Sequence, residues 1–216
     1  MPFSTGRMFA GIFSCAQPHA PPVTIVFHDS PPRIEAAQPA ARMESLRKKS
    51  ISPDYGGAFT QVDGLTDGTF GIKYDLDFTA VEQMMLHTAC VRAKDARIAV
   101  TYTPVIYVSD VAAPGSCRYK ATLAHEMRHV GADIGAIEEF LPKIKAAADA
   151  ALAPQHDPRP VSKSAVVAFQ ADESKKLSDA IGKISAALQR TRQIRQMQID
   201  TRREYERLSK ACPRGR

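Results

Sequence analysis

The chain has no run of apolar residues long enough to span a bilayer, so no transmembrane helix is expected. None of its 4 cysteines forms a C-x-x-C pair, which disfavours a cysteine-based zinc or redox site. Acidic side chains are the scarcer charge, 23 Asp and Glu against 29 Lys and Arg, for a formal net charge of +6. That excess favours anionic surroundings such as envelope polymers or lipid headgroups. It is concentrated in the C-terminal segment, and a nucleic-acid partner is not expected. What remains is ordinary for a globular protein: 216 residues, 44% of them hydrophobic, enough for one domain with a real core and some appendages.

The most informative stretch is LAHEMRH, Leu123 to His129, which contains the pattern H-E-x-x-H. Residues four apart on a helix lie one turn above each other, so His125 and His129 can aim two imidazoles at one ion. Glu126 then sits beside them as the general base. Zinc suits this arrangement, because it accepts neutral imidazole nitrogens and can leave one position open to water. The ordinary alternative is an amphipathic helix whose histidines touch solvent or core. The third protein ligand is sought first in Glu138 or Glu139, on a segment folding back after Gly131 or Gly135, and next in Asp133. On a continuous helix Asp133 suits a supporting role, accepting the free N–H of His129. His28 and His87 are further candidates. Oxyanion support is sought in Tyr107, Tyr119 or Arg128. The metzincin extension is missing, since Ala132 and Gly135 occupy its positions.

The N-terminus reads as a degenerate export signal: Arg7, a short apolar stretch from Met8 to Ser14, then Cys15. The run Ile12-Phe13-Ser14-Cys15 looks like a bacterial lipobox, which would make Cys15 a lipid anchor. Exported, periplasmic or membrane-anchored placement is expected. In an oxidising compartment Cys90 and Cys117 would staple the strand region to the helix entrance; otherwise they are two buried thiols. Cys212 is either free or intermolecular.

Four segments are expected: 1–21, an export signal or unstructured start; 22–152, the metallopeptidase domain; 153–170, a linker; and 171–216, a basic helical arm. Strands are read at Val23–His28 and in FGIKYDLDF, whose Phe70, Ile72, Tyr74, Leu76 and Phe78 share one face. Two Asp-Gly pairs in VDGLTDG signal turns, with a hairpin partner around Phe59 to Val62. Arg97–Val111 is a strand that Pro104 either interrupts or confines to a sheet edge, where substrate would bind. A short helix is read from Ala40 to Lys49 and a second, after the motif helix, from Ile137 to Leu152. In the arm, Leu177, Ile181, Ile184 and Leu188 form an apolar stripe that resumes out of register at Ile194, Met197, Tyr205 and Leu208. It packs on its own domain or self-associates; the sharper reading is a surface for anionic membrane or polymer.

The block GSCRYKATLAHEMRHV, with TYTPVIYV before it and IEEFLPKI after it, resembles a family of bacterial secreted zinc-dependent proteases of the zincin type. The resemblance covers Val23 to Leu152. It implies an α+β fold, a zincin-like domain with a small, mostly antiparallel sheet packed on the motif helix, here followed by a long C-terminal helix. It also implies an envelope location, a peptide or protein substrate, a Zn2+ cofactor, His125 and His129 as ligands and Glu126 as base. The site departs from the zincin pattern at Arg128 and Gly131. Two other functions stay open: a non-catalytic envelope binding or assembly protein, and a peptidoglycan amidase.

Overall fold

A computed structural model describes Cys15 and residues 20–48, 63–83, 87–153 and 160–212. Arg7 to Ser14, the expected hairpin partner Phe59–Val62 and residues 154–159 of the linker, His156 included, lie outside the described residues. The fold is α+β. Its axis is β4 (Thr88–Ser109), a strand of 22 residues with which every other strand pairs. Along one edge lies β3 (Gly64–Gln83), antiparallel over its whole length. Along the other lie β1 (Val23–Asp29) and then β2 (Arg33–Gln38), both parallel to β4, and at its start the short β5 (Val161–Ser162), antiparallel. The expectation of a mostly antiparallel sheet is therefore corrected: the sheet is mixed, with two parallel pairings.

Pro104 does not push β4 to an edge. Its missing N–H falls in the gap where Ser30-Pro31-Pro32 separate β1, which ends opposite Tyr102, from β2, which begins opposite Val105. A proline is harmless in a central strand where the neighbour offers no acceptor. Among the described residues, β4 from Ala96 to Ser109 thus has neighbours on both sides apart from that gap. The two Asp-Gly pairs are not turns either; both lie in or at the start of β3. Gly64 and Gly68 are there because the sheet passes too close to other groups for a side chain. A Cβ at Gly64 would stand 2.5 Å from Thr122 Cγ2, and one at Gly68 2.6 Å from the Tyr102 hydroxyl.

Helix α1 (Ala40–Arg47) lays Met43 and Leu46 on Leu65 and Tyr107, covering one end of one sheet face. The opposite face carries the main core. There Ile98, Val100, Tyr102, Ile106 and Val108 of β4 pack against α2 (Cys117–Ala151) and α3 (Val166–Ile199). Helix α2 is one element of 35 residues, not two. Its Ser116 cap accepts from the Tyr119 amide, Gly131 is passed at an exposed position, and Pro142 stands inside the helix without dividing it.

Helix α3 runs back along α2, and Leu177, Ile181 and Leu188 join the same core as Ile98 and Ile137. Among the described residues, the expected arm thus contributes to the same core as α2 and β4. Many of its cations are paired, Lys175 with Asp179, Lys176 with Asp172 and Glu173, Arg195 with Glu139 and Arg202 with Glu206. A break at Asp200–Thr201 leads into α4 (Arg202–Lys210), capped by the Thr201 hydroxyl on the Glu204 amide. Disulfides join Cys15 to Cys90 and Cys117 to Cys212, so the Cys90–Cys117 staple does not form, and the sulfur a lipid anchor would need is bonded. Among the described residues no helix is long and apolar enough to cross a membrane.

Candidate metal centre

The antiparallel pair α2–α3 is apolar at one end and polar at the other. Ala136, Ile137, Phe140, Ile144 and Ala148 of α2 belong to the same apolar core as Leu177, Ile181 and Leu188. One to three turns earlier on the same buried face stand His125, His129 and Asp133, and the facing residues of the C-terminal segment are Arg192, Gln196 and Asp200. Three donor atoms converge there. His125 Nε2 and His129 Nε2 are 3.1 Å apart, and Asp200 Oδ1 lies 3.2 Å from the first and 3.1 Å from the second. This buried group could hold a metal ion. Ligands bound at about 2.0 Å around a tetrahedral ion stand about 3.3 Å from one another, close to the spacing found.

The proton positions support the same conclusion. His125 Nδ1 faces Glu204 Oε1 at 3.2 Å, an ionised acceptor for a proton on that nitrogen. His129 Nδ1 meets Gln196 Oε1, while Gln196 Nε2 donates to Asp133 Oδ1 at 2.8 Å and to the His129 carbonyl at 3.1 Å. With each neutral ring protonated on Nδ1, the two Nε2 atoms are lone pairs turned on each other and on a carboxylate oxygen. A single cation satisfies all three, which a proton on one nitrogen does not. Burial raises the Asp200 carboxyl's pKa, but hydrogen bonds and charge from the two histidines outweigh it and hold the group ionised.

Glu126 is also buried. Thr66 of β3 donates to its Oε2 at 2.8 Å, and Oε1 lies 2.6 Å from where a Cβ of Gly64 would be. Burial pushes its pKa above the ordinary carboxylate value, against the lowering pull of His129 and His125. Burial therefore favours the protonated form of this carboxyl.

Of the residues expected to complete the site, neither Glu138 nor Glu139 is brought to it. Both are exposed, and Glu139 is engaged by Lys143 and Arg195. Asp133 does not reach the ion's position; it accepts from Tyr102, Arg192 and Gln196, and so supports His129 at one remove. His28 and His87 are exposed, on β1 and in the turn before β4. Tyr107 lies under α1, on the other sheet face from the site. Arg128 explains its own departure from the zincin pattern: it donates to Glu204 Oε1 at 2.5 Å, holding the carboxylate that holds His125.

The carboxylate missed in the sequence is Asp200, 71 residues beyond His129. Its one sequence signal is spacing, because Arg192, Gln196 and Asp200 continue Leu188 at intervals of four along the buried face of α3. No family model, curated protein or solved structure matches this chain.

Proposed function

We propose that this protein is an exported zinc-dependent metallopeptidase of the zincin type, with His125, His129 and Asp200 as metal ligands and Glu126 as general base. The observation that carries the reading is the triangle of His125 Nε2, His129 Nε2 and Asp200 Oδ1, with sides of 3.1–3.2 Å, one residue along the helix from a buried carboxyl. Two histidines and a carboxylate suit iron(II) as well as zinc; Glu126 beside them favours hydrolysis, and hence zinc. Zinc held by three protein ligands keeps a fourth place for water and lowers that water's pKa to about 7.

The chain's own part is proton transfer. Glu126 takes the water proton as the oxygen attacks the substrate's carbonyl carbon. It then returns that proton to the amine nitrogen as the C–N bond breaks. Thr66 holds Oε2, and Gly64 leaves room at Oε1 for that traffic. Disulfides persist in oxidising compartments, so the bridges Cys15–Cys90 and Cys117–Cys212 support export. The partner is a peptide or protein substrate.

Elemental mass spectrometry tests the metal: one zinc per chain is expected, lost in His125→Ala and in Asp200→Ala. Glu126→Gln should keep the metal and lower hydrolysis by about 10²–10⁴-fold. Casein-type and cell-wall digestion assays side by side separate a protease from a peptidoglycan amidase. A second reading, a binding or assembly protein with a closed structural metal, is favoured by one observation: His125, Glu126, His129 and Asp200 are each no more than 6% exposed. It predicts bound metal with no turnover on either substrate, and no change on Glu126→Gln.

A further inference from the structure

Behind His129 lies a chain of buried polar groups that the proposed chemistry leaves unused. Asp133 accepts from the Tyr102 hydroxyl at 2.9 Å and from Arg192 Nη2 at 2.6 Å, both on Oδ2, and from Gln196 Nε2 at 2.8 Å on Oδ1. Arg192 also donates to the Gly68 carbonyl at 2.9 Å and stacks its guanidinium 5.6 Å from the ring centres of Phe70 and Tyr102. Asp133, Arg192 and Tyr102 are all buried. Gly68 makes room for them, since a Cβ there would stand 2.7 Å from Asp133 Oδ2. A buried ion pair of this kind is weak as a source of stability, because apolar groups of the same shape fill such a space at no greater cost. Its effect is directional.

Both oxygens of Asp133 are acceptors, and Oδ1 faces the Gln196 side chain. Gln196 must therefore present its NH2 to Asp133 and its oxygen to His129 Nδ1. An oxygen at that place requires the proton of the neutral ring to sit on Nδ1, which leaves Nε2 as a lone pair facing His125 and Asp200. We infer that Gln196 is a positioning residue whose amide orientation, held by Asp133 together with the His129 carbonyl, sets the tautomer of His129 and thereby its competence to bind a metal. The inference rests on the metal-centre reading given above. A carboxylate on the far side of Gln196 from the ion thus controls a nitrogen that it never touches.

Asp133→Asn tests this with almost no change of shape. The new amide keeps its oxygen for Tyr102 and Arg192 and turns its NH2 toward Gln196. That NH2 opposes the NH2 of Gln196, which the His129 carbonyl alone then holds, so the amide loses its fixed orientation and His129 the fixed place of its proton. Proton–nitrogen correlation spectra of the imidazole groups, recorded on zinc-free and zinc-loaded full-length chain at alkaline pH, read the tautomer directly. Wild type is expected to show His129 protonated on Nδ1, and Asp133→Asn to show the proton divided between Nδ1 and Nε2. Zinc affinity, measured by competition with a chromophoric chelator, should fall by about 10–100-fold in Asp133→Asn and in Gln196→Met.

A wild-type His129 carrying its proton on Nε2 overturns the inference without any variant. Both variants binding zinc as wild type does overturns it as well. A wild-type chain that takes up no zinc sinks the metal reading instead, and the zinc-free spectra still decide the tautomer.

Discussion

A histidine ring has two nitrogens, and a metal site works only when the protein decides which one keeps the proton. Here Glu204 decides for His125 and Gln196 for His129. For His129 burial works against the charged ring, but hydrogen bonds that the ring donates to Asp200 and Gln196 and the charges of Glu126 and Asp200 prevail. Its pKa lies above the ordinary 6.5. Protons then compete with metal over a wider range than for a free imidazole. Zinc affinity is expected to weaken as pH falls through that raised value, and calorimetry in buffers of different ionisation enthalpy should register a proton released on binding.

The metal-free fold has the opposite dependence at this residue. The stability His129 contributes is complete below its unfolded pKa near 6.5 and is lost as pH rises through the folded one. Glu204 behaves as a depressed carboxyl, held by Arg207 first and then His125 and Arg128 at about 2 against 4.5. Its contribution is present above 4.5 and lost as pH falls toward 2. Urea melts of the chelated protein from acid to neutral pH check both signs.

At the scale of elements, β3 and α2 approach closely enough that Gly64→Ala is expected to cost about 1–3 kcal/mol in denaturant melts and to displace Glu126, lowering hydrolysis further than stability alone accounts for. Leu188→Ala should cost about 2–5 kcal/mol and leave the donor triangle in place. The motif helix is legible in the sequence because its chemistry and its period coincide: His125, Glu126 and His129 are both the pattern and the buried face. The two-helix division of α2 fails because glycine and proline signal breaks only where no core holds the chain, and Ile137, Phe140 and Ile144 hold it here. In α3 apolar residues mark the inner face as far as Leu188. Beyond it the inner face turns polar, and the apolar Ile194 and Met197 sit outside at 51% and 42% exposure. Following hydrophobicity past Leu188 leads onto the wrong side of the helix, away from Asp200, and leaves Glu138, Glu139 and Asp133 near the motif as the first candidates. The mixed sheet is hidden for a different reason: strand direction is set by the path of the connections, which alternation does not encode.

Across the whole molecule, the metal group is assembled from two ends of a long helical pair, and the second end is tied down covalently. The Cys117–Cys212 bridge spans 95 residues and fastens the end of α4 to the start of α2, so Asp200 and Glu204 cannot drift from His125. Replacing both cysteines by serine is expected to reduce stability by about 2–4 kcal/mol and to loosen metal binding, with the loss of affinity confined to the reduced protein when wild type is treated with a thiol. Equal zinc affinity in the oxidised and reduced chains would show that helix packing alone places Asp200.

One strand pairs with all the others, so β4 has neighbours on both edges while β1, β2 and β3 each have one described partner. Amide exchange should follow that asymmetry. The amides of β4 open only with the whole molecule, whereas those of β3 alternate, slow where they face β4 and fast where they do not. The slowest clock in this protein therefore runs through a strand that contains a proline and carries none of the metal's ligands.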